Sequence, residues 1–274
     1  MNYKIKSTFW FLVLLISLVG CSDSFLETGP ESTIIENIPQ LDIEQANKDF
    51  SELPFEIGDN DFELSVLFKE KWAFRLTVPE IADGELVPLI INMHGSALRL
   101  DINNHKREDC VLGPSLEENN LKAYILSPNS QGYLWFNGFN ELQVVNLVKF
   151  AIEHLNVDPK RVVAFGISDG GFGSWFFADT HPELFSSAIA IAQVYGLIVN
   201  ENGIKKTDVP VYVIHGEFDE LFPFTDTESI VELSRGVGSE IEFVMAEGLG
   251  HCCACDFQPY VKDAVEWLIT SVWE

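Results

Sequence analysis

Three residues far apart in this chain have the types needed for nucleophilic chemistry: Ser168, Asp219 and His251. Ser168 lies in Gly166-Ile-Ser168-Asp-Gly170, after the apolar run Arg161 to Ile167 and before a stretch with helical character. A serine hydroxyl is a weak nucleophile until a base takes its proton, and the base works best when an acid orients it. A strand, a sharp turn and a helix are the setting in which a G-x-S-x-G sequence holds its serine outward. Small residues at Gly166 and Gly170 would let the strand and helix approach closely. Asp219 follows the run Val211 to Ile214, with Glu217, Glu220 and Asp226 as rival acids or turn formers. Of the six histidines, only His251 follows the last apolar run, Ile241 to Met245, in a Gly-x-Gly-His loop. His94 and His215 stand at run ends before glycine, His105 lies in a polar loop, His154 near a helix end and His181 in a Thr-His-Pro turn.

The elements that must position these residues read as strands alternating with helices. Runs at 62–68 and 72–78 suit a hairpin. Short apolar runs follow at Pro88 to Met93, Ala123 to Leu126, Arg161 to Ile167, Ala188 to Ala192, Val211 to Ile214 and Ile241 to Met245. Apolar stripes at helical spacing cover Glu141 to Leu155, Thr225 to Leu233 and Pro259 to Ile269. This alternation predicts an α/β fold with a mostly parallel sheet and helices on both faces. Sites in such sheets lie beyond the carboxyl ends of the strands, where His94-Gly95, Ser168, Asp219 and His251 all fall. An oxyanion hole would take one backbone N–H from Asp169 and a second from Ser96, with Ala97 the other choice. The reaction requires no cofactor or metal. Tyr133 and Trp135, in a loop after a strand, are candidates for a substrate platform or for buried packing. Arg99, Lys106 and Arg107 would either attract an anionic substrate or pair with Asp101, Glu108 and Asp109.

From about residue 60 to the end, the chain resembles the α/β-hydrolase superfamily. The branch is that of small secreted esterases, which includes feruloyl and acetyl xylan esterases, polyhydroxybutyrate depolymerases and phospholipase/carboxylesterase-like proteins. The resemblance rests on His94-Gly95, Val157-Asp-Pro-Lys-Arg-Val162, Gly166-Ile-Ser-Asp-Gly-Gly171, His181-Pro-Glu-Leu-Phe185, His215-Gly-Glu-Phe-Asp219 and Gly250-His251. It implies Ser168 as nucleophile, His251 as general base and then acid, and Asp219 as its orienting partner. The chain departs from the pattern at His251-Cys-Cys-Ala-Cys255, where relatives often carry an aromatic residue after the histidine. Gln193 to Pro210 is too short a stretch for a cap domain, so an open site is expected. Such a site suits short acyl or aromatic esters, including esters on carbohydrate. A peptidase on the same three residues and a non-catalytic binding protein of the same fold are the competing readings.

The N-terminus reads as an address. Lys4 and Lys6 precede an apolar run from Thr8 to Val19, and Leu18-Val19-Gly20-Cys21 resembles the bacterial lipobox. A signal peptide over 1–20, lipidation of Cys21 and a membrane attachment through the lipid are expected; a plain signal peptide is the alternative. Ser22 after the cysteine resembles sequences passed on to the outer membrane. Residues 21–59 read as an acidic tether and lead-in, and 60–274 as the catalytic domain. Across 274 residues, 17 basic against 42 acidic side chains give a net charge of −25, which repels nucleic-acid phosphates and excludes a nucleic-acid partner. Export permits disulfides, and the cysteines beyond Cys21 are Cys110, Cys252, Cys253 and Cys255. A bridge from Cys110 to the 252–255 cluster is expected, with zinc on Cys252, Cys255 and Cys110 as the rival.

Overall fold

A computed structural model describes residues 41–67, 70–252 and 254–274. The expected signal peptide, Cys21 and most of the tether lie outside the described residues. The chain divides into Met1–Ile38 and a compact unit, Pro39–Glu274, which carries the architecture below.

Among the described residues ten strands form: β1 (Gly58–Leu67), β2 (Glu70–Val78), β3 (Val87–Met93), β4 (Tyr124–Pro128), β5 (Val157–Ile167), β6 (Ser187–Ile191), β7 (Val199–Asn200), β8 (Gly203–Ile204), β9 (Val211–Gly216) and β10 (Ile241–Ala246). Eight build one sheet in the order β1-β2-β4-β3-β5-β6-β9-β10, and β7 and β8 make a separate two-stranded hairpin. β2 runs antiparallel to β1 and β4, and every pair from β4 onward is parallel. The register puts Gly166 of β5 opposite Met93 of β3 and Ala190 of β6, and His215 of β9 opposite Met245 of β10. The loops that carry residues 94–97, 168, 219 and 251 therefore leave the same edge of the sheet.

The helices are α1 (Ile43–Ser51), α2 (Leu112–Glu118), α3 (Gly138–His154), α4 (Asp169–Thr180), α5 (Phe224–Gly236) and α6 (Gln258–Trp267). The strand period of two sorts the central residues between two cores. Leu89, Ile91 and Met93 face one side with Phe50 of α1, Val144, Leu147 and Val148 of α3, and Trp175 and Phe177 of α4. Ile90, Val163, Phe165, Ile189 and Ile214 face the other with Leu112 and Leu116 of α2 and Val261 and Val265 of α6. This is the α/β-hydrolase arrangement, with helices on both faces. Between β6 and β9 the chain holds only a 3-10 turn, Gly196–Ile198, and the β7–β8 hairpin.

Residue 60, the expected start of the catalytic domain, lies inside β1, and α1 lies within the stretch read as a tether and lead-in. Asp42 caps α1 by accepting from the Gln45 N–H at 3.0 Å, and Ala46 and Phe50, one helical turn apart, are fully buried. Burying a side chain such as Phe50 stabilises by ~1.5–3 kcal/mol, enough to dock a short helix on a preformed core.

Candidate active site

Ser168 sits at the turn between β5 and α4 with φ 58° and ψ −122°. A non-glycine residue in such a conformation costs about 1–3 kcal/mol and persists only where its surroundings hold it. The Ser168 N–H donates to the Ile191 carbonyl at 2.9 Å, and its own carbonyl accepts from the Phe172 N–H at 2.9 Å. The flanking glycines allow the close approach. A Cβ on Gly166 would lie 2.3 Å from the Gly170 carbonyl, and one on Gly170 would lie 1.9 Å from the Met93 carbonyl oxygen. The hydroxyl thus projects at the sheet edge directly before the N-terminus of α4.

The loops after β9 and β10 bring an acid and a base to that hydroxyl. His251 Nε2 lies 3.0 Å from Ser168 Oγ, and His251 Nδ1 lies 2.8 Å from Asp219 Oδ2. Asp219 Oδ1 accepts from the N–H groups of Leu221 at 2.9 Å and Phe222 at 2.8 Å, so both carboxylate oxygens are engaged. Burial alone would raise the Asp219 carboxyl. The bonds from Phe222, His251 and Leu221 outweigh it, and the group lies below its ordinary value as a stable anion. The rival acids act around this pair. Glu220 accepts from the His251 N–H at 3.0 Å, Glu217 accepts from the Gly248 N–H at 2.9 Å, and Asp226 lies in the first turn of α5.

The loop after β3 packs against the serine: a Cβ on Gly95 would lie 3.3 Å from Ser168 Cβ. Ser96 takes a positive φ of 56°. The Ala97 N–H is committed to the Asp169 carboxylate at 2.8 Å, which favours Ser96 over Ala97 as a donor to a reacting carbonyl. Asp169 begins α4 and so presents one of the unpaired N–H groups of a helix start. His94 braces the loop, with Nε2 accepting from the Ser130 N–H at 3.2 Å and Nδ1 2.8 Å from the Gly95 carbonyl. Burial pushes its pKa down to about 4, so the brace is neutral.

Trp135 does not offer a platform. It is 1% exposed, and its indole N–H donates to the His94 carbonyl at 3.0 Å while the ring packs on Gly173 of α4. Tyr133 is 46% exposed and lines a cavity of about 300 Å³ with Leu100, Ile102 and Gln131. Two residues of the basic group meet acids: Arg107 pairs with Asp101 at 3.3 Å, and Lys106 lies 4.0 Å from Asp61. Cys110, just before α2, is bridged to Cys255, which lies in the 3-10 turn Ala254–Phe257 after His251. That bridge uses two of the thiols a zinc ion would need, and Cys252 is free and exposed. The supporting part of Glu220 was not legible in the sequence, because its contact is to a backbone N–H thirty-one positions away.

Comparisons with known proteins agree with this architecture. Residues 131–274 match the model of the dienelactone hydrolase family. Among solved structures, a thermostable esterase aligns at 23% identity over 77% of this chain and 62% of its own, with a TM-score of 0.61. An acylaminoacyl peptidase of Pyrococcus horikoshii aligns at 16% identity over 82% of this chain and 43% of its own, with a TM-score of 0.59. Esterase 2 of Thermogutta terrifontis, phosphorylated by paraoxon, aligns at 16% identity over 80% of this chain and 96% of its own, with a TM-score of 0.59. The chain spans less than two thirds of the first two of these structures, and at such identities the likeness concerns the fold. No curated protein matches the chain in sequence. With the match to the family model extending over more than half of its length, the chain belongs to the dienelactone hydrolase family.

Proposed function

We propose that this protein is a serine hydrolase that cleaves carboxylic esters through an acyl-enzyme. The observation that carries the reading is the unbroken chain of contacts from Ser168 Oγ to His251 Nε2 and from His251 Nδ1 to the buried Asp219. His251 takes the hydroxyl proton as Ser168 Oγ bonds to the ester carbonyl carbon. The oxygen that gains charge is met by the N–H groups of Asp169 and Ser96. Collapse breaks the bond to the alcohol, which leaves with the proton from His251. A water then attacks the acyl carbon and gives its proton to His251; the bond to Ser168 Oγ breaks, Oγ takes that proton back and the acid is released.

The substrate we propose is a short acyl or aromatic ester, with carbohydrate as the alcohol side. A long acyl chain needs a deep apolar channel to offset its exposure to water, and only a 3-10 turn and a small hairpin lie between β6 and β9. We also propose export as a lipoprotein anchored through Cys21, on the strength of the N-terminal sequence, which suits a substrate too large to enter a cell. Acetyl, feruloyl and long-chain acyl esters should be compared with peptide amides at matched concentration. Faster turnover of short or aromatic esters is expected. Preference for long chains would contradict the open site, and faster amide cleavage would make the protein a peptidase.

A further inference from the structure

Among the described histidines that the proposed reaction does not use, His215 is the least exposed. It is the next-to-last residue of β9, four positions before Asp219, and its side chain has no exposed surface. We infer that His215 is the positioning residue for the Asp219–His251 pair, an inference that rests on the hydrolase reading. The geometry involves a single turn. His215 Nε2 lies 2.7 Å from the Phe222 carbonyl, an acceptor only, so this nitrogen carries the proton and donates. The turn that begins at Asp219 thus has its Phe222 carbonyl held by His215, while its Leu221 and Phe222 N–H groups hold Asp219 Oδ1. That leaves Oδ2 facing two imidazoles, His251 Nδ1 at 2.8 Å and His215 Nε2 at 3.5 Å.

Phe222 is also part of the base's surroundings, with its ring centroid 5.3 Å from that of His251. One bond from His215 therefore fixes both the direction of the carboxylate and the wall against which the base packs. The ring of His215 is anchored in turn. Thr227, buried on α5, places its hydroxyl 3.1 Å from His215 Nδ1 and 2.8 Å from the Gln193 carbonyl after β6. The charged and titratable groups around His215 are Asp219 and His251, and burial disfavours its own protonation. An alkyl side chain would fill the space but leave the Phe222 carbonyl without this donor.

The test uses the full chain and a small activated ester, with His215→Ala, His215→Gln and Thr227→Val measured beside Ser168→Ala. Near-ultraviolet circular dichroism reports whether each variant keeps its packing. Displacing a positioned group by about 1 Å costs up to ~100-fold, so folded His215→Ala is expected to lose about tenfold to a hundredfold in kcat with KM little changed. His215→Gln should recover most of the loss, because its amide N–H can still donate to the Phe222 carbonyl, and Thr227→Val should fall between. A folded His215→Ala with normal kcat, or a Gln variant no better than Ala, would overturn the inference. If His215→Ala does not fold, Thr227→Val decides: normal kcat in that folded variant would equally overturn it. Ser168→Ala separates the two levels. Turnover surviving there sinks the hydrolase reading itself, whereas an inactive Ser168→Ala beside a fully active His215→Ala sinks only the role of His215.

Discussion

At the scale of single residues, backbone crowding as much as side-chain chemistry decides what the site tolerates. Gly170 has the Met93 carbonyl oxygen where a Cβ would go, at 1.9 Å, and neither the elbow nor β3 can retreat without moving Ser168. Gly138, at the start of α3, has nothing within 4 Å of the same position. Gly170→Ala is therefore expected to lose ~1–3 kcal/mol or more, or to fail to fold, while Gly138→Ala stays neutral or becomes slightly more stable. Urea unfolding of the two variants checks this, and equal effects would refute the steric account of the elbow. Ser168, Asp219 and His251 could be picked from the sequence because each follows an apolar strand in a short, distinctive loop. Trp135 could not be placed in that way: its burial depends on Gly173 of α4 and on the His94 carbonyl, contacts that no local pattern encodes. The same holds for His215, whose partner is a backbone carbonyl.

At the scale of elements, the loop after β3 carries Ser96, the proposed oxyanion donor, and two neutral histidines brace it. His94 is tied to Ser130, and His105 accepts from the Asn129 amide at 2.9 Å. Burial lowers both from the ordinary 6.5 to about 4. Because the unfolded chain binds these protons more readily, the folded state is fully favoured above about 6.5 and loses that advantage as pH falls toward about 4. The melting temperature should drop through this window, and the drop should be shallower in His105→Gln; parallel curves would contradict the bracing role. The strands of the parallel sheet were legible because the central ones, such as β3, β6 and β9, are apolar on both faces. Helix α1 was not: Ile43, Ala46 and Phe50 fall at helical spacing, but three apolar positions in a short, acidic stretch are too few to stand out.

At the scale of the whole molecule, one covalent link spans the sequence. Cys110 and Cys255 are separated by 145 positions, and their bridge ties the segment before α2 to the loop that carries His251. The sequence pointed to a bridge from Cys110 into the cluster, but three neighbouring cysteines left the choice to the path of the chain around His251. Closing a loop of that length restricts the unfolded ensemble, so Cys110→Ser is expected to cost ~2–5 kcal/mol in urea, and a reductant should have the same effect on the unaltered protein. Unchanged stability in both would remove the bridge from the folded state in solution. Whether Ser168 becomes covalently bonded decides the central claim. The purified protein should be treated with a fluorophosphonate probe, digested and mapped by mass spectrometry. A single adduct on Ser168, absent from Ser168→Ala and much slower to form in His251→Ala, is the expected result; an unlabelled Ser168 in protein that still turns over esters would contradict it.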